Sequence, residues 1–583
     1  REWWNMGAHA ASGMHNADLA AAFEEMSELL AIRGDNPFRI RAYQRAAQVI
    51  RSQPRSLAEL PRSDWTTLPG IGVDLARKLG ELLRCGTFRA LEQARARVPA
   101  HLRELLQVPG LGPVRVRTLY GRLGVTSRED LARALQTGKV GELPGFGPVL
   151  QRRLEAALAA GPGPTRWPLA EATQYGEALR SFLLSCPGIT HVEMAGSYRR
   201  GRDTVGDLDF VVCAGRGFDL AAALRRCRDV RGLQAAGPTR CTAVLRNGLQ
   251  VDLRLIGEES LGAALLYFTG SREHNLRLRR RAQERGLKLN EYGLYRGAER
   301  IAGHTEVEVY AALGLPLIPV ELREDRGEIA AAARGQLPKL VEQADLKGDL
   351  HMHTDASDGH DSLEAMVAAA QARGLQYCAI TDHSRHLGIV HGLDAGRLSQ
   401  QIDAIDALNA TLRDFVVLKG VEVDILEDGR LALPQDLLRR LDVVVAAIHG
   451  HFDLPQRAQT TRILRALEHP CVNILAHPTA RLIGRRAPCA MDFGKVLAAA
   501  RARSCCLELD SQPARLDLDD VMCKAARDSA VLISIASDAH SAVDLELLAG
   551  GIRQARRGWL TAEDVVNTRP LPQLRRLLAR SRG

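Results

Sequence analysis

Between Asp349 and His540 the chain repeats one device six times, a short apolar run that ends on a histidine or a carboxylate. The runs lead into Asp349-Leu-His-Met-His-Thr-Asp-Ala-Ser-Asp-Gly359, Ile380-Thr-Asp-His383, Gly420-Val-Glu-Val-Asp424, Ile448-His-Gly-His-Phe452, Ala476-His-Pro-Thr479 and Ser537-Asp-Ala-His540. Apolar strand-like runs alternating with Ala-rich helical stretches read as β/α units. Confining ligand-type side chains to the C-terminal ends of such runs is the arrangement of a β/α barrel, which builds its site on that face. His351 and His353 are two apart and so share a face of one strand end. A lone histidine is usually a core or surface residue, but six such sites in one register are not. Imidazoles mixed with carboxylates suit Mn²⁺, Zn²⁺ or Fe²⁺ better than Mg²⁺.

The N-terminal part carries a different repeat, hydrophobic-Pro-Gly-hydrophobic-Gly, at Leu68–Gly72, Val108–Gly112 and Leu143–Gly147. Each copy precedes a helical stretch with basic residues. The glycines Gly70, Gly72, Gly110, Gly112, Gly145 and Gly147 permit a tight hairpin between two helices, whose amides can meet a DNA phosphate without reading a base. One such turn would be an ordinary connection, whereas three copies point to a binding device.

Between these parts, Ala195-Gly-Ser-Tyr-Arg-Arg-Gly201 precedes Val205-Gly-Asp-Leu-Asp-Phe-Val-Val212, and Asp252 lies in the later run Leu249–Leu255. Asp207 and Asp209 project from one face of a strand, with Asp252 converging from a neighbouring strand. Three carboxylates so placed can hold two Mg²⁺ ions for phosphoryl transfer, with Gly196, Ser197 and Arg200 cradling a nucleotide's phosphates. Acidic pairs on strands are mostly solvated, but these sit in an apolar run behind a Gly-Ser turn with paired arginines.

A chain of 583 residues has room for three or four domains. Eleven cysteines without metal-finger spacing fit a reduced compartment, and no structural disulfide is expected. No apolar stretch approaches a membrane span and no signal-type segment opens the chain, so a soluble cytoplasmic protein is expected, with the native start near Met14 and residues 1–13 a disordered extension. Net charge is +14 over residues 1–300 and −5 over residues 301–583. The basic half suits a polyanion and the acidic, His-bearing half suits metal cations.

The segment Gly196–Asp209 resembles the nucleotidyltransferase signature of family X DNA polymerases. Tyr267-Phe-Thr-Gly-Ser271, His274-Asn275 and Arg279 resemble that family's segment around the nascent base pair, and Leu289–Leu294 its thumb. The resemblance spans Asp18–Leu322 and implies Asp207, Asp209 and Asp252 as catalytic ligands of Mg²⁺ or Mn²⁺. It further implies Ser197, Arg200 and Gly206 at the triphosphate, and Tyr267, Gly270, Asn275 and Arg279 beside the incoming nucleotide. Val205 stands where the animal repair enzymes have a serine. Their Schiff-base lyase lysine aligns with Lys78, while Asp74 occupies the place of a second, supporting lysine.

The C-terminal part resembles the PHP domain, a distorted seven-stranded barrel with up to three metals. Its motifs imply His351, His353, Asp358, His383, Glu422, His449, His477, Asp538 and His540 as ligands of Mn²⁺, Zn²⁺ or Fe²⁺, with His451 an ambiguous extra. The resemblance implies a multidomain chain. Helix-hairpin-helix regions span 14–92 (lyase-like) and 93–162 (fingers). An α+β nucleotidyltransferase palm follows over 169–256, a thumb over 257–322, a linker over 323–345 and a distorted (β/α)7 barrel over 346–583. It implies a DNA-directed polymerase filling short gaps in base excision repair, with a 3′-to-5′ exonuclease and, in some relatives, 3′-phosphatase or abasic-site endonuclease activity. The expected partners are gapped or nicked duplex DNA and dNTPs, with no membrane, for a monomer acting at the nucleoid. Competing readings are a DNA-binding scaffold whose only chemistry is phosphoester hydrolysis, and a template-independent nucleotidyltransferase. The intact acidic triad argues against the first and the hairpins against the second.

Overall fold

A computed structural model describes residues 14–53, 56–68, 70–99, 101–106, 108, 110–159, 166–215, 217–384 and 391–580. The expected extension 1–13 lies outside the described residues, as does the Gly- and Pro-rich stretch 161–165.

Helices Asn16–Arg33 and Pro37–Ser52 pack against each other and against Val73–Cys85 around Phe23, Leu30, Tyr43 and Phe88. The three Gly-rich turns share one geometry. Ile71, Leu111 and Phe146 are buried, and their amides donate to the carbonyls of Leu68, Val108 and Leu143 at 2.9–3.2 Å. Gly70, Gly110 and Gly145 all take left-handed φ values, of +73°, +102° and +82°, where a side chain is strained. Each turn launches a helix, at Val73, Pro113 and Pro148.

Residues 189–256 form a five-stranded sheet in the order Ile189–Met194, Asp207–Ala214, Gln250–Ile256, Arg240–Leu245, Val230–Ala236. Its pairs are antiparallel except the central one, where Asp207–Ala214 and Gln250–Ile256 run parallel with Asp209 opposite Asp252. Helices Leu261–Thr269 and Arg272–Glu284 and a three-stranded sheet of Lys288–Asn290, Gly293–Arg296 and Glu299–Ala302 follow.

The segment 323–345, expected as a linker, is packed structure. Arg323 is buried on the Glu306 carboxylate, Glu328 is buried on His274, and Leu340 bridges to Thr561. A charge buried this completely requires its partner, which fixes the segment.

Seven parallel strands, Gly348–Met352, Tyr377–Ile380, Val416–Asp424, Val443–Ala447, Ile474–Leu475, Cys506–Asp510 and Ile533–Ala536, pair in sequence order. The first meets the end of the last through Met352 and Ala539, so the sheet curls into a nearly closed barrel. Six of its strands are buried throughout and the third is buried except at Val416 and Lys419, as a parallel sheet covered by helices requires. All eleven cysteines are free thiols. No helix among the described residues is long and apolar enough to cross a membrane.

Candidate active sites

In the palm sheet, parallel register carries Asp209 beside Asp252, and the two-residue period puts Asp207 on the same face. Thr242 Oγ1 and Gln250 Nε2 donate to Asp252 at 2.5 and 2.8 Å, which orients that carboxylate. Burial and the neighbouring charges of Asp207 and Asp252 push the Asp209 carboxyl up to about 7. Burial and Asp252 raise Asp207 as well. Like charges crowded in a half-buried site are a cation site by electrostatics. Gly196, at φ +61°, opens the turn behind them, and a methyl group there would land on Asp209 Oδ2. Ser197 stands partly buried on the same turn, and Gly206 lies just before Asp207.

Arg200 is buried and pinned. Its Nε donates to Glu324 at 2.9 Å and its Nη1 to the Thr269 carbonyl at 2.8 Å, while its field lowers Asp209. Nη2 makes no hydrogen bond to the described residues. Asn275 Nδ2 donates to the Tyr267 carbonyl at 2.6 Å, and its buried Oδ1, without a partner, lies against Gly270. Arg279 sits 4.8 Å from the Tyr267 ring centroid, which makes one surface of Tyr267, Asn275 and Arg279.

Lys78 does not have the setting of a Schiff-base amine. Its side chain is buried with Nζ ion-paired to Asp74 and 5.1 Å from the Tyr43 ring centroid. A nucleophilic amine needs neighbouring cations or an apolar pocket, and Asp74 supplies the opposite charge.

The barrel brings the nine expected side chains to one mouth. His353, Asp358, His383 and His540 form one group, His351, His353 and Asp538 a second, and His383, Glu422 and His449 a third, with ligand atoms inside each group within 4.8 Å of one another. Glu422 joins them: His383, His449 and His477 lie 2.8, 3.0 and 2.9 Å from its oxygens. The palm's three acids are not drawn into a group this tight. His451 is exposed and faces Glu427 instead. His477 and Asp538 adopt positive φ, backbone strain at strand ends that presents their side chains to the cluster.

Two supporting carboxylates escaped the sequence reading. Glu508 lies 2.6 Å from His351 Nδ1, and Asp424 lies 2.9 Å from His449 Nδ1. Carboxylates on the second nitrogen of ligating histidines set tautomer and basicity. Asp424 carried a signal, since it shares a strand face with Glu422; Glu508 sits in the apolar run Cys506–Asp510 with none.

The electrostatics are those of a cation cage. Burial alone would lower every imidazole, yet Glu422 and Asp424 push His449 up to about 9, and Asp358 and Asp538 push His540 up to about 10. Despite burial, His383, His449 and His351 hold Glu422, and His351, His353 and His540 hold Asp538, well below the carboxylate range. His353 Nδ1 and His477 Nδ1 are buried without hydrogen bonds, as donor atoms kept for a metal are. The N-terminal helices reach this mouth, where Arg45 Nη2 is 3.0 Å from His360 Nδ1 and Arg485 is ion-paired to Glu24.

Comparison with known proteins finds similarity along most of the chain. Residues 14–88 match the profile of a helix-hairpin-helix domain, 102–158 that of a SAM-like helix-hairpin-helix tandem, 264–324 the DNA polymerase beta thumb and 349–477 the PHP domain. The chain is 38% identical over 573 residues to the DNA polymerase/3'-5' exonuclease PolX of Bacillus subtilis strain 168, covering 97% of this chain and all of that one. A protein named "Probable phosphatase" from Thermoanaerobacter sp. strain X514 is 29% identical over 233 residues, 38% of this chain and 89% of its own. One of the same name from Caldicellulosiruptor bescii is 26% identical over 212 residues, 34% of this chain and 82% of its own.

Proposed function

The chain belongs to the family X DNA polymerases that carry a C-terminal PHP domain, and from that premise we propose that it fills short gaps in duplex DNA from dNTPs and trims 3′ ends in its barrel. The observation that carries the polymerase reading is the register of Asp209 against Asp252 with Asp207 on the same face. In this reading those three carboxylates hold Mg²⁺ or Mn²⁺, and the nine barrel side chains hold up to three Mn²⁺, Zn²⁺ or Fe²⁺ ions. Bound metals supply Lewis acidity toward a 3′-hydroxyl at the first site and toward water at the second, with charge neutralisation on the phosphoryl group.

The protein's own part is positioning. Gly196, Ser197, Arg200 and Gly206 receive the triphosphate, with Arg200 offering its free Nη2. Tyr267, Gly270, Asn275 and Arg279 border the nucleotide. Gly70, Gly72, Gly110, Gly112, Gly145 and Gly147 open three hairpins whose amides meet backbone phosphates, so duplex DNA is gripped without regard to sequence. Glu508 and Asp424 orient His351 and His449. The protein acts as a monomer in the cytoplasm, at the nucleoid, and Lys78, tied to Asp74, contributes no lyase step.

The test is incubation with a one-nucleotide gapped duplex and dNTP in Mg²⁺. Extension by one nucleotide is expected, and Asp207→Ala should abolish it while gapped-DNA affinity stays within about threefold. Losing an essential metal ligand costs several kcal/mol of barrier, so incorporation by Asp207→Ala above about a hundredth of the wild-type rate overturns the assignment.

A further inference from the structure

The helix Leu548–Arg557 belongs to the barrel but serves two masters. One face carries Leu548, Ile552 and Ala555 into the barrel core, and Gly551 lets it approach so closely that a methyl group there would land on Ser511. The other face carries Arg553 and Arg557, four apart and so side by side. Arg553 Nη2 donates to the carbonyls of Tyr198 and Arg199 at 2.6 and 2.9 Å, and Arg557 Nη1 to the carbonyl of Arg200 at 2.8 Å. Of these carbonyls at the C-terminal end of the one-turn helix Gly196–Arg199, that of Tyr198 also accepts the Gly201 amide at 2.9 Å, while those of Arg199 and Arg200 receive no amide from the turn. Gly201, at φ +72°, is bare because a side chain there would land on Arg553.

A buried ion network continues from the same arginine. Arg557 Nη2 bonds Glu324 Oε1 at 3.0 Å and Asp520 Oδ2 at 2.6 Å, and that Glu324 oxygen also receives Arg200 Nε at 2.9 Å. Arg326 closes the network on Asp520 at 2.8 Å. Arg557 is 3% exposed and Arg200 8%, so these bonds are shielded from solvent. Planar guanidinium forks fix geometry in a way that a single ammonium cannot.

We propose that Arg553 and Arg557 are positioning residues of the polymerase reaction: from the barrel they hold the Gly196–Gly201 turn and the Arg200 guanidinium in the shape that receives an incoming nucleoside triphosphate. The inference rests on the polymerase reading of that turn. It makes the barrel part of the polymerase site independently of its own hydrolysis.

The experiment is steady-state gap filling by the full-length protein and its Arg553→Gln, Arg553→Lys and Arg557→Gln variants. Both glutamine variants should raise the KM for dNTP about tenfold, as Arg553→Gln disrupts two hydrogen bonds and Arg557→Gln three, with kcat and gapped-DNA affinity changed less than threefold. Arg553→Lys keeps the cation beside the Tyr198 ring, 5.6 Å away, but cannot serve both carbonyls in one plane, so its KM should fall between. Hydrolysis of a 3′ end should remain within twofold in all three, which also certifies a folded barrel. An unchanged KM for dNTP in folded Arg557→Gln and Arg553→Gln overturns the inference while leaving the polymerase reading standing. Wild-type protein that adds no nucleotide overturns both. Equal loss of DNA affinity, polymerisation and hydrolysis would show a merely structural clamp and also overturns it.

Discussion

Asp209→Asn should stabilise the metal-free protein while removing its polymerase activity. In the folded chain the carboxyl is pushed up to about 7, first by burial and then by Asp207 and Asp252, from an ordinary 3.8. Below about pH 4 it is protonated in both folded and unfolded chains. Between about 4 and 7 the unfolded chain gives up a proton that the folded chain keeps, so stability falls as pH rises and the full penalty is present above 7. At about 1.4 kcal/mol per unit the shift is worth at most about 4 kcal/mol, and about 2 kcal/mol after local relaxation. Asparagine fills the same space without ionising, and Asp209 accepts no side-chain hydrogen bond that would be lost. In EDTA at pH 8 the variant's palm transition should lie about 4–10 °C above wild type by scanning calorimetry, and the gap should close at pH 4. Saturating Mg²⁺ should restore much of the wild-type deficit by binding the folded state. A variant no more stable at pH 8, or equally stabilised at both pH values, refutes the assignment of repulsion to this cluster.

Three further outcomes follow. Gly112 has φ −96° and open space where a side chain would stand, whereas Gly110 has φ +102° and lies on Leu150; Gly112→Val should therefore weaken gapped-DNA binding on all sequences alike without lowering the melting temperature, and Gly110→Val should lower both. Fluorescence anisotropy on two unrelated duplexes, with thermal melts, checks this. Glu508→Gln should weaken Mn²⁺ binding to the barrel about 10- to 100-fold, read by calorimetric titration, with the palm unaffected. Borohydride treatment on a 5′-deoxyribose-phosphate substrate should trap no adduct at Lys78 by mass spectrometry, since Nζ is held by Asp74.

Much of the barrel was legible because six of its seven strands are largely apolar runs that carry or lead into a histidine or carboxylate near the C-terminal end. His351, His383, Glu422, His449, His477 and Asp538 could be placed from that register alone. The hairpins were legible from three copies of one turn that only glycine makes cheaply. What the sequence hid is non-local. Glu508 meets His351 across 157 positions, and nothing in Cys506–Asp510 distinguishes it from a strand's polar side chain. Arg200 reads as a phosphate ligand, while its anchoring by Glu324 and Arg557 joins palm, thumb and barrel. In a chain with 78 basic residues no local pattern selects that trio. The packed state of 323–345 was hidden too, because Arg323 and Glu328 look like solvated charges until Glu306 and His274 are folded against them.

The central claim is that two metal-dependent chemistries reside in separate centres of one chain. The most direct measurement is extension and degradation of a gapped primer by wild type and by the His351→Ala/His353→Ala double variant, in Mg²⁺ and in Mn²⁺, with circular dichroism to confirm folding. On the proposed assignment, with imidazoles holding the barrel's metals and Asp207, Asp209 and Asp252 those of the palm, the variant should lose 3′-end hydrolysis by at least about a hundredfold. It should still fill the gap within about threefold of wild type, and wild-type hydrolysis should rise with added Mn²⁺ while extension proceeds in Mg²⁺. A folded variant that degrades primers at the wild-type rate, or that loses extension together with hydrolysis, would contradict the account.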